Sequence, residues 1–393
     1  MIQYPTIKLI VLFVFLVYQA AGFASDLAIP ERESETVKIP AAFGNQLAEV
    51  IPPENLSDVR HGILNGLIAK GSVPIRISPL HGGMSARVFS ITGKKNSWVL
   101  RIIPRRKDPL EFHREIFFSR VMSENRTGPY LYYAGEKDGI IIMQQLANKP
   151  PFSQKNPEYS SEFLSNLGHL LIRLHSTSFT GHSDLNISML ERTTRIRDRI
   201  EVRLPLESDR LFAKTVQADA VLNPHRRLKL VHHDLNPNNV LNDGSRLWLI
   251  DWELTGMGDP WYDLATASIF FTTSPEQENT LILSYLGRKP SQVEQASFFI
   301  NKVLCLSFYG HVLQIVAGDG AFEHFDERLP TLPRLSDLFE KGQRWANFKN
   351  GASSVSEFGM VLLKEALLMT NSNQWTNAIN NLDNSPPLNA DQN

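Results

Sequence analysis

The sequence predicts an α+β fold with two lobes, in which an antiparallel sheet with one main helix is followed by a mainly helical lobe. Apolar and polar residues alternate in three early stretches, as in antiparallel strands; the stretches are residues 73–80, 86–93 and 97–104. A helical pattern follows at 109–125, and two further strands flank the turn Lys137-Asp138-Gly139. Beyond that turn the apolar residues recur mostly at helical spacing.

The lobe boundaries follow from changes in composition along the chain. The sheet lobe is predicted to span residues 56–148 and to end in a linker rich in Pro, Ser and Asn. The helical lobe is predicted to span residues 149–348. Residues 349–393 are expected to form a C-terminal helix and then a disordered tail, because residues 371–393 are rich in Asn.

The N-terminus predicts a targeting segment that is separate from the fold. Lys8 precedes an apolar run over residues 9–17, and small residues near position 24 are spaced as a signal peptidase requires. Residues 1–24 are therefore interpreted as a signal peptide; an uncleaved membrane anchor is the alternative, although the run is short for a spanning helix. The protein is expected to be exported or membrane-associated if this segment functions, and cytoplasmic if it does not. Residues 25–55 are expected to form a loose leader.

Composition excludes some classes of function. The 40 basic and 41 acidic residues give a formal net charge of -1, so no overall field favours nucleic acid or an anionic membrane surface. The one cysteine, Cys305, lies in an apolar helical run and is expected in the core. Disulfide and cysteine-zinc chemistry are thereby excluded.

Residues 230–251 carry the strongest chemical signal. The segment LVHHDLNPNNVL places His232, Asp234 and Asn239 in the pattern H-x-D-x-x-x-x-N, and Asp251 follows at the end of an apolar strand. Phosphoryl-transferring kinases use this order, with Asp234 accepting the proton of the acceptor hydroxyl. Asn239 and Asp251 offer oxygen ligands of the kind that Mg²⁺ prefers, and His232 is expected to brace the loop. A polar hairpin turn without a catalytic role is the alternative.

Features of the sheet lobe agree with a kinase. Gly82 and Gly83 join two strands, and glycine lets backbone N–H groups approach a phosphate. Arg101 projects from a strand and Glu115 lies on the following helix, so the two can form the ion pair that positions nucleotide phosphates. Each feature has an alternative when it is taken alone. The turn at Gly82 and Gly83 could be a plain hairpin turn, and Arg101 and Glu115 could form a surface ion pair.

Four segments together resemble the choline/ethanolamine kinase family, within the aminoglycoside phosphotransferase-like kinases; they read GGMS, VLRI, HHDLNPNNVL and LIDWELTGMGDPWYDLA. The resemblance implies a bilobal protein-kinase-like fold over about residues 56–345 that uses ATP and Mg²⁺. It also implies that Ser85 belongs to the nucleotide-binding turn. Gln144 and Leu146 would lie at the hinge that binds adenine through backbone groups. The sequence departs from the family at Ala86, where Asn is common.

The acceptor is expected to be choline or a related amino alcohol. A quaternary ammonium has no N–H to donate, so proteins bind it with aromatic faces and nearby carboxylates. The candidates are Trp252, Trp261, Tyr262 and Tyr309 for the aromatic faces, with Glu253 and Asp263 for the charge. Any of these aromatics could instead belong to the core, and Asp263 could brace the catalytic loop.

Three functions are compatible with the sequence. The first is an ATP- and Mg²⁺-dependent kinase of choline or a similar amino alcohol. The second is a kinase of an aminoglycoside, thiamine or a sugar on the same fold, with an acidic pocket. The third is an exported binding protein without catalysis, which the targeting segment keeps open because ATP is scarce outside the cytoplasm. The order of the motifs favours the first, with a small-molecule alcohol as partner and no nucleic acid.

Overall fold

In the computed structural model the chain divides after Leu146 into a sheet unit and a helical unit that begins at Ala147. This division lies close to the boundary that the sequence predicts at residue 148. The described residues are 38–80, 86–104, 109–149, 159–178, 188–200, 204–318, 322, 324–341, 343, 348 and 351–387. The predicted targeting segment and the predicted phosphate-binding residues Gly82, Gly83 and Ser85 lie outside the described residues.

Antiparallel pairing joins five strands of the sheet unit in the order β1-β2-β3-β5-β4. The strands are β1 (Pro74–Pro79), β2 (Arg87–Gly93), β3 (Ser97–Ile102), β4 (Leu131–Ala134) and β5 (Ile140–Gln144). Helix α3 (Pro109–Glu124) lies between β3 and β4 in the chain. The alternation of apolar and polar residues therefore predicted the strands correctly, and Ile91, Trp98 and Leu100 of these strands are buried.

Two helices precede the sheet and pack against it. They are α1 (Ala41–Val50) and α2 (Pro53–Gly66). Phe43, Leu47 and Ile51 are at most 1% exposed and share one apolar cluster with side chains of β2 and β3. The prediction of a loose leader over residues 25–55 is therefore wrong from residue 41 onward. The spacing of these three apolar residues fits one helix face, but the pattern is too short to stand out in the sequence.

A side chain of α1 satisfies part of the free edge of β1, which is an edge strand. The amide Nε2 of Gln46 donates to the carbonyl oxygen of Ile75 at 3.1 Å, and the N–H of Ile77 donates to Gln46 Oε1 at 3.3 Å. Edge strands present unpaired backbone groups, and this one amide fills both a donor and an acceptor position. Val73 and Ile75 are exposed beside it.

Helices make up most of the helical unit. They are α4 (Ser161–His175), α5 (Met189–Arg197), α6 (Leu206–Leu222), α7 (Pro260–Phe271), α8 (Pro275–Leu286), α9 (Gln292–Ala317), α10 (Phe325–Arg328), α11 (Leu335–Glu340), α12 (Ala352–Thr370) and α13 (Asn373–Asp383). Helix α9 packs against α5, α6, α7, α12 and α13. Among the described residues α9 alone is long and apolar enough to cross a membrane, and 72% of its most apolar window is buried inside the unit.

The C-terminal segment is more ordered than the sequence predicts. Residues 371–393 were expected to be disordered, yet α13 occupies Asn373–Asp383 and buries Trp375, Ala378, Ile379 and Leu382. These four residues recur at helical spacing, so the Asn residues between them form the polar face of an amphipathic helix. The expectation of disorder is wrong for this stretch because it weighed composition above periodicity.

Two short antiparallel strand pairs position the candidate site. Strand β6 (Lys229–Val231) pairs with β9 (Gly256–Gly258), and β7 (Val240–Asn242) pairs with β8 (Leu247–Leu249), both antiparallel. The H-x-D-x-x-x-x-N motif lies in the loop between β6 and β7, residues 232–239, which we call the motif loop.

Candidate active site

Asp263, in the first turn of α7, holds the backbone of the motif loop. Its carboxylate accepts the N–H of His232 at 2.7 Å and the N–H of His233 at 2.9 Å. The Nε2–H of His175 donates to the same carboxylate at 3.1 Å, and Tyr285 Oη lies 2.9 Å from the other ring nitrogen of His175. His233 has φ of +65°, in the left-handed region that non-glycine residues rarely adopt, so these bonds fix a strained turn.

The charge of Asp263 is itself stabilised by this arrangement. The carboxylate is fully buried, and burial alone would raise its pKa. The hydrogen bond and charge of His175 outweigh burial and hold the pKa of Asp263 below its usual value. Asp263 is therefore an ionised anchor for the loop, one of the two alternatives open from the sequence.

His232 braces the loop from inside. Its ring nitrogen Nε2 donates to the carbonyl oxygen of Ile250 at 2.9 Å, and its Nδ1 accepts the N–H of Asp234 at 3.3 Å. The ring is fully buried and lies 5.0 Å from the ring of Trp252. Both nitrogens of His232 are thus engaged with backbone groups, as expected of a bracing residue.

His233 packs beside the loop in a neutral form. Its Nδ1 lies 3.1 Å from the carbonyl oxygen of Leu254, and its ring is 5.6 Å from that of Tyr262. Burial lowers the pKa of His233 to about 3, and the charge of Arg192 adds to this effect. His233 therefore carries no charge near neutral pH.

Asp234 is the half-buried carboxylate at the centre of the motif loop. Its Oδ1 accepts hydrogen bonds from Asn236 Nδ2 at 3.0 Å and from Tyr309 Oη at 2.9 Å. Its Oδ2 accepts one from Asn239 Nδ2 at 2.8 Å. Burial raises the pKa of Asp234, the nearby charge of Asp251 adds to the rise, and the hydrogen bonds from Asn236 and Tyr309 oppose it.

Asn239 and Asp251 are brought together by the pairing of β7 with β8. Asn239 directly precedes β7, Asp251 follows β8 after one residue, and the N–H of Ile250 donates to the carbonyl oxygen of Asn239 at 3.1 Å. Asp251 has φ of +72°, a second left-handed non-glycine residue at this site. The amide nitrogen of Asn239 is turned toward Asp234, so its amide oxygen faces the opposite side.

These side chains fit magnesium by their chemistry. Mg²⁺ takes oxygen ligands, and in phosphoryl-transfer sites one or two carboxylates are completed by waters and substrate phosphates. Asn239 and Asp251 supply one amide oxygen and one carboxylate from adjacent strand ends. The described residues contain no group of three or more His, Cys, Asp or Glu that could hold a metal.

In the sheet unit, Arg101 and Glu115 form the ion pair that the sequence predicts. Arg101 on β3 contacts the carboxylate of Glu115 on α3 through its Nε. Arg101 is 8% exposed and Glu115 only 1%, so the pair is not a surface contact. A buried pair of this kind fixes the position of the guanidinium far more firmly than an exposed pair would.

The predicted hinge residues Gln144 and Leu146 lie at the end of β5 and two residues later in the chain. The N–H of Gln144 donates to Tyr130 O at 2.8 Å, and the N–H of Gln145 donates to Ser97 O at 3.0 Å. The N–H of Leu146 has no hydrogen-bond acceptor among the described residues. Of the two residues predicted at the hinge, Gln144 therefore uses its N–H within the sheet unit.

The residues predicted to bind the acceptor lie around the motif loop in different roles. Trp252 and Tyr262 are buried against His232 and His233, and Tyr309 donates to Asp234. Two candidates, Glu253 and Trp261, are half-buried; the ring of Trp261 lies 6.2 Å from that of Phe298 and 6.3 Å from that of Tyr285. Asp263 anchors the loop, so Glu253 and Trp261 are the predicted acceptor residues that remain partly exposed.

A model of the phosphotransferase enzyme family matches residues 76–294, more than half of the chain. The chain belongs to this family. A choline/ethanolamine kinase family protein from Mesorhizobium loti has the same fold, with a TM-score of 0.59 at 17% identity over 83% of this phosphotransferase and 98% of that chain. A structure of LicA in complex with AMP has a TM-score of 0.53 at 17% identity over 73% of this chain and 96% of that chain.

Sequence comparison finds Protein LicA of Haemophilus influenzae, 29% identical over 160 residues. The aligned region is 39% of this chain and 57% of the relative, so the phosphotransferase spans about half the length of the curated relatives it matches. The solved structures confirm the α+β, protein-kinase-like fold that the sequence predicts. The predicted resemblance to this group of kinases is confirmed by the family match and by the neighbouring structures.

Sequence reasoning missed two side chains of the site, Asn236 and His175. Asn236 lies within the motif loop, two residues after Asp234, and its spacing permits the contact with that carboxylate. His175 is 88 residues away from Asp263 in the chain, at the end of α4. No local pattern connects these two positions, so only the fold reveals the contact.

Proposed function

We propose that the protein transfers the γ-phosphoryl group of ATP to the hydroxyl of a small-molecule alcohol, with choline or a related amino alcohol as acceptor. The observation that carries the proposal is the arrangement of Asp234, Asn239 and Asp251 at adjoining strand ends of a phosphotransferase-family chain. The pairing of a half-buried carboxylate with an amide and a second carboxylate suits a base beside a magnesium site.

Each residue has a defined task in the proposed reaction. Asp234 orients the acceptor hydroxyl and takes its proton as that oxygen attacks phosphorus. Asn239 and Asp251 would hold Mg²⁺, which when bound neutralises charge on the phosphate oxygens. Arg101, fixed by Glu115, is the proposed cation for the nucleotide phosphates, and the N–H of Leu146 is the proposed donor to adenine.

Support for choline as the acceptor comes from the relatives. The structure with TM-score 0.59 is that of a choline/ethanolamine kinase family protein, and the LicA structure with TM-score 0.53 contains AMP. In this chain Trp261 is the candidate for an aromatic face and Glu253 for a compensating charge, since the other predicted aromatics contact the motif loop.

The experiment is ATP consumption by the full-length protein, with and without Mg²⁺, against choline, ethanolamine, thiamine and kanamycin. We expect Mg²⁺-dependent product formation with choline or ethanolamine. Phosphorylation of kanamycin or thiamine alone would move the acceptor to another class within the same chemistry. Absence of nucleotide binding and of any phosphorylated product would refute the kinase and favour an exported binding protein.

We also propose that residues 1–24 send the protein out of the cytoplasm or anchor it to the membrane. The support is the apolar run after Lys8 and the small residues near position 24. A fusion of residues 1–30 to a reporter that is active only after export should give activity, with cleavage after Ala24. An inactive, full-length fusion in the cytoplasm would contradict this.

A further inference from the structure

Tyr309 reaches the proposed base from a helix outside the motif loop. It lies on α9, beyond residue 294 where the family match ends, and its hydroxyl donates to Oδ1 of Asp234 at 2.9 Å. We propose that Tyr309 is a positioning residue, which fixes the carboxylate of Asp234 so that Oδ2 takes the proton of the acceptor hydroxyl. This inference rests on the proposed kinase function and adds to it the identity of the reacting oxygen atom.

The hydrogen bonds at Asp234 distinguish its two oxygens. A carboxylate offers about four lone-pair sites, two on each oxygen. Oδ1 receives two donors, Asn236 Nδ2 at 3.0 Å and Tyr309 Oη at 2.9 Å, so both of its sites are filled. Among the described residues, Asn239 Nδ2 at 2.8 Å is the side-chain donor to Oδ2, and a second site on this oxygen can receive an incoming hydroxyl.

Two properties of Tyr309 suit it to hold a carboxylate. Burial and the adjacent negative charge of Asp234 raise the pKa of its hydroxyl far above the usual value, so the group remains a donor at working pH. Its ring is held by aromatic neighbours, Phe270 on α7 at 5.1 Å and Phe308 at 5.3 Å. With only 7% of the residue exposed, the hydroxyl cannot swing away from Asp234 without disturbing the core.

The proton transfer balances with the group transfer. The acceptor oxygen forms a bond to the γ-phosphorus while the bond from that phosphorus to the β,γ-bridging oxygen breaks, and its electron pair leaves with ADP. The acceptor's proton moves to Oδ2 of Asp234. Tyr309 keeps its own proton throughout and acts only by orienting the carboxylate.

The test uses the full-length protein with Tyr309→Phe, which removes the hydroxyl and keeps the ring. Tyr159→Phe is the matched control, because Tyr159 is also a buried tyrosine among aromatic side chains of the helical unit, 6% exposed and 5.0 Å from Phe271. Turnover is measured with ATP and whichever of choline, ethanolamine, thiamine or kanamycin the wild type phosphorylates. The same substitution is then made in the Asp234→Ala background.

We expect Tyr309→Phe to lower kcat about tenfold, the scale of one hydrogen bond to a charged group, with KM for ATP and acceptor within about twofold of wild type. In the Asp234→Ala background the same change should alter kcat less than about twofold, since there is no carboxylate left to position. Tyr159→Phe should leave kcat unchanged.

Two results would overturn the inference while the kinase stands. One is a loss of kcat in Tyr309→Phe no larger than in Tyr159→Phe. The other is an undiminished loss in the Asp234→Ala background, which would mean that Tyr309 acts through general stability. A wild type that phosphorylates none of the acceptors would instead refute the proposed function, and the inference with it.

Discussion

Replacing Asp263 by asparagine tests whether the motif loop depends on one buried charge. The carboxylate accepts three hydrogen bonds, from the N–H groups of His232 and His233 and from His175. Asparagine has nearly the same shape but only one acceptor oxygen, so its NH₂ group must face a former donor. One buried donor then loses its partner.

The loss of stability in Asp263→Asn follows from these contacts. An unsatisfied buried donor costs about 1–3 kcal/mol, and two remaining bonds that no longer involve a charge weaken by about 1 kcal/mol each. The free energy of unfolding should therefore fall by about 4 kcal/mol. For a domain of this size that corresponds to a drop in Tm of roughly 10 °C. Turnover should fall as well, because the loop carries Asp234.

The assay is thermal unfolding followed by circular dichroism, with Asp326→Asn as the control. Asp326 also accepts two backbone N–H groups, from Leu206 at 2.9 Å and Glu207 at 3.3 Å, but it is exposed. Its replacement should cost less than about 1 kcal/mol, because water can replace the lost bonds.

The dependence of stability on pH gives a second test of the Asp263 carboxylate. The pKa of Asp263 is lower in the folded than in the unfolded protein, so its charge stabilises the fold above the unfolded value of 3.8. This contribution is lost as pH falls through the folded pKa. The difference in stability between wild type and Asp263→Asn should therefore narrow below about pH 4.

Equal Tm values for Asp263→Asn and Asp326→Asn would refute the anchoring role.

Three further predictions concern other residues. Asp251→Asn should abolish turnover while Tm stays near that of wild type, and a folded variant with normal turnover would remove Asp251 from the metal site. Asp234→Ala should lower kcat by a factor on the order of 10² to 10⁴ and leave ATP affinity, measured by calorimetry, nearly unchanged; full turnover would contradict its role as base. Burial, assisted by the charge of Arg197, lowers the pKa of His311 to about 4. Below pH 6.5 this histidine therefore binds a proton more readily in the unfolded than in the folded chain, and the free energy of unfolding should fall by about 3 kcal/mol between pH 6.5 and 4. Urea titrations of His311→Gln should lack this part of the loss.

The strands and the core of the site could be predicted because their signals are local. The alternation of apolar and polar residues that predicts β1 to β5 is contained within a few residues of each strand. His232, Asp234 and Asn239 all lie inside one loop. Asp251 joins them because β7 and β8 form a short hairpin. In these cases sequence neighbours are also neighbours in space.

The rest depended on contacts between distant segments. Tyr309 was expected as a face for a cation, but its hydroxyl donates to Asp234 from 75 residues away. Trp252 and Tyr262 have the composition of an aromatic pocket, yet their rings lie against two histidines of the loop. An aromatic side chain gives the same sequence signal whether it packs against a ligand or against a loop, so only the fold separates the two.

The amide of Gln46 has a practical consequence for handling fragments of this protein. A fragment beginning at residue 56, where the sequence first predicted folding to start, would lack α1 and uncover the outer rim of β1, beside which Val73 and Ile75 are already exposed. Such a rim is a template on which a second molecule can add its own strand. Truncation from the N-terminus should therefore yield soluble oligomers or precipitate as soon as residue 46 is removed, even though the strands themselves are intact.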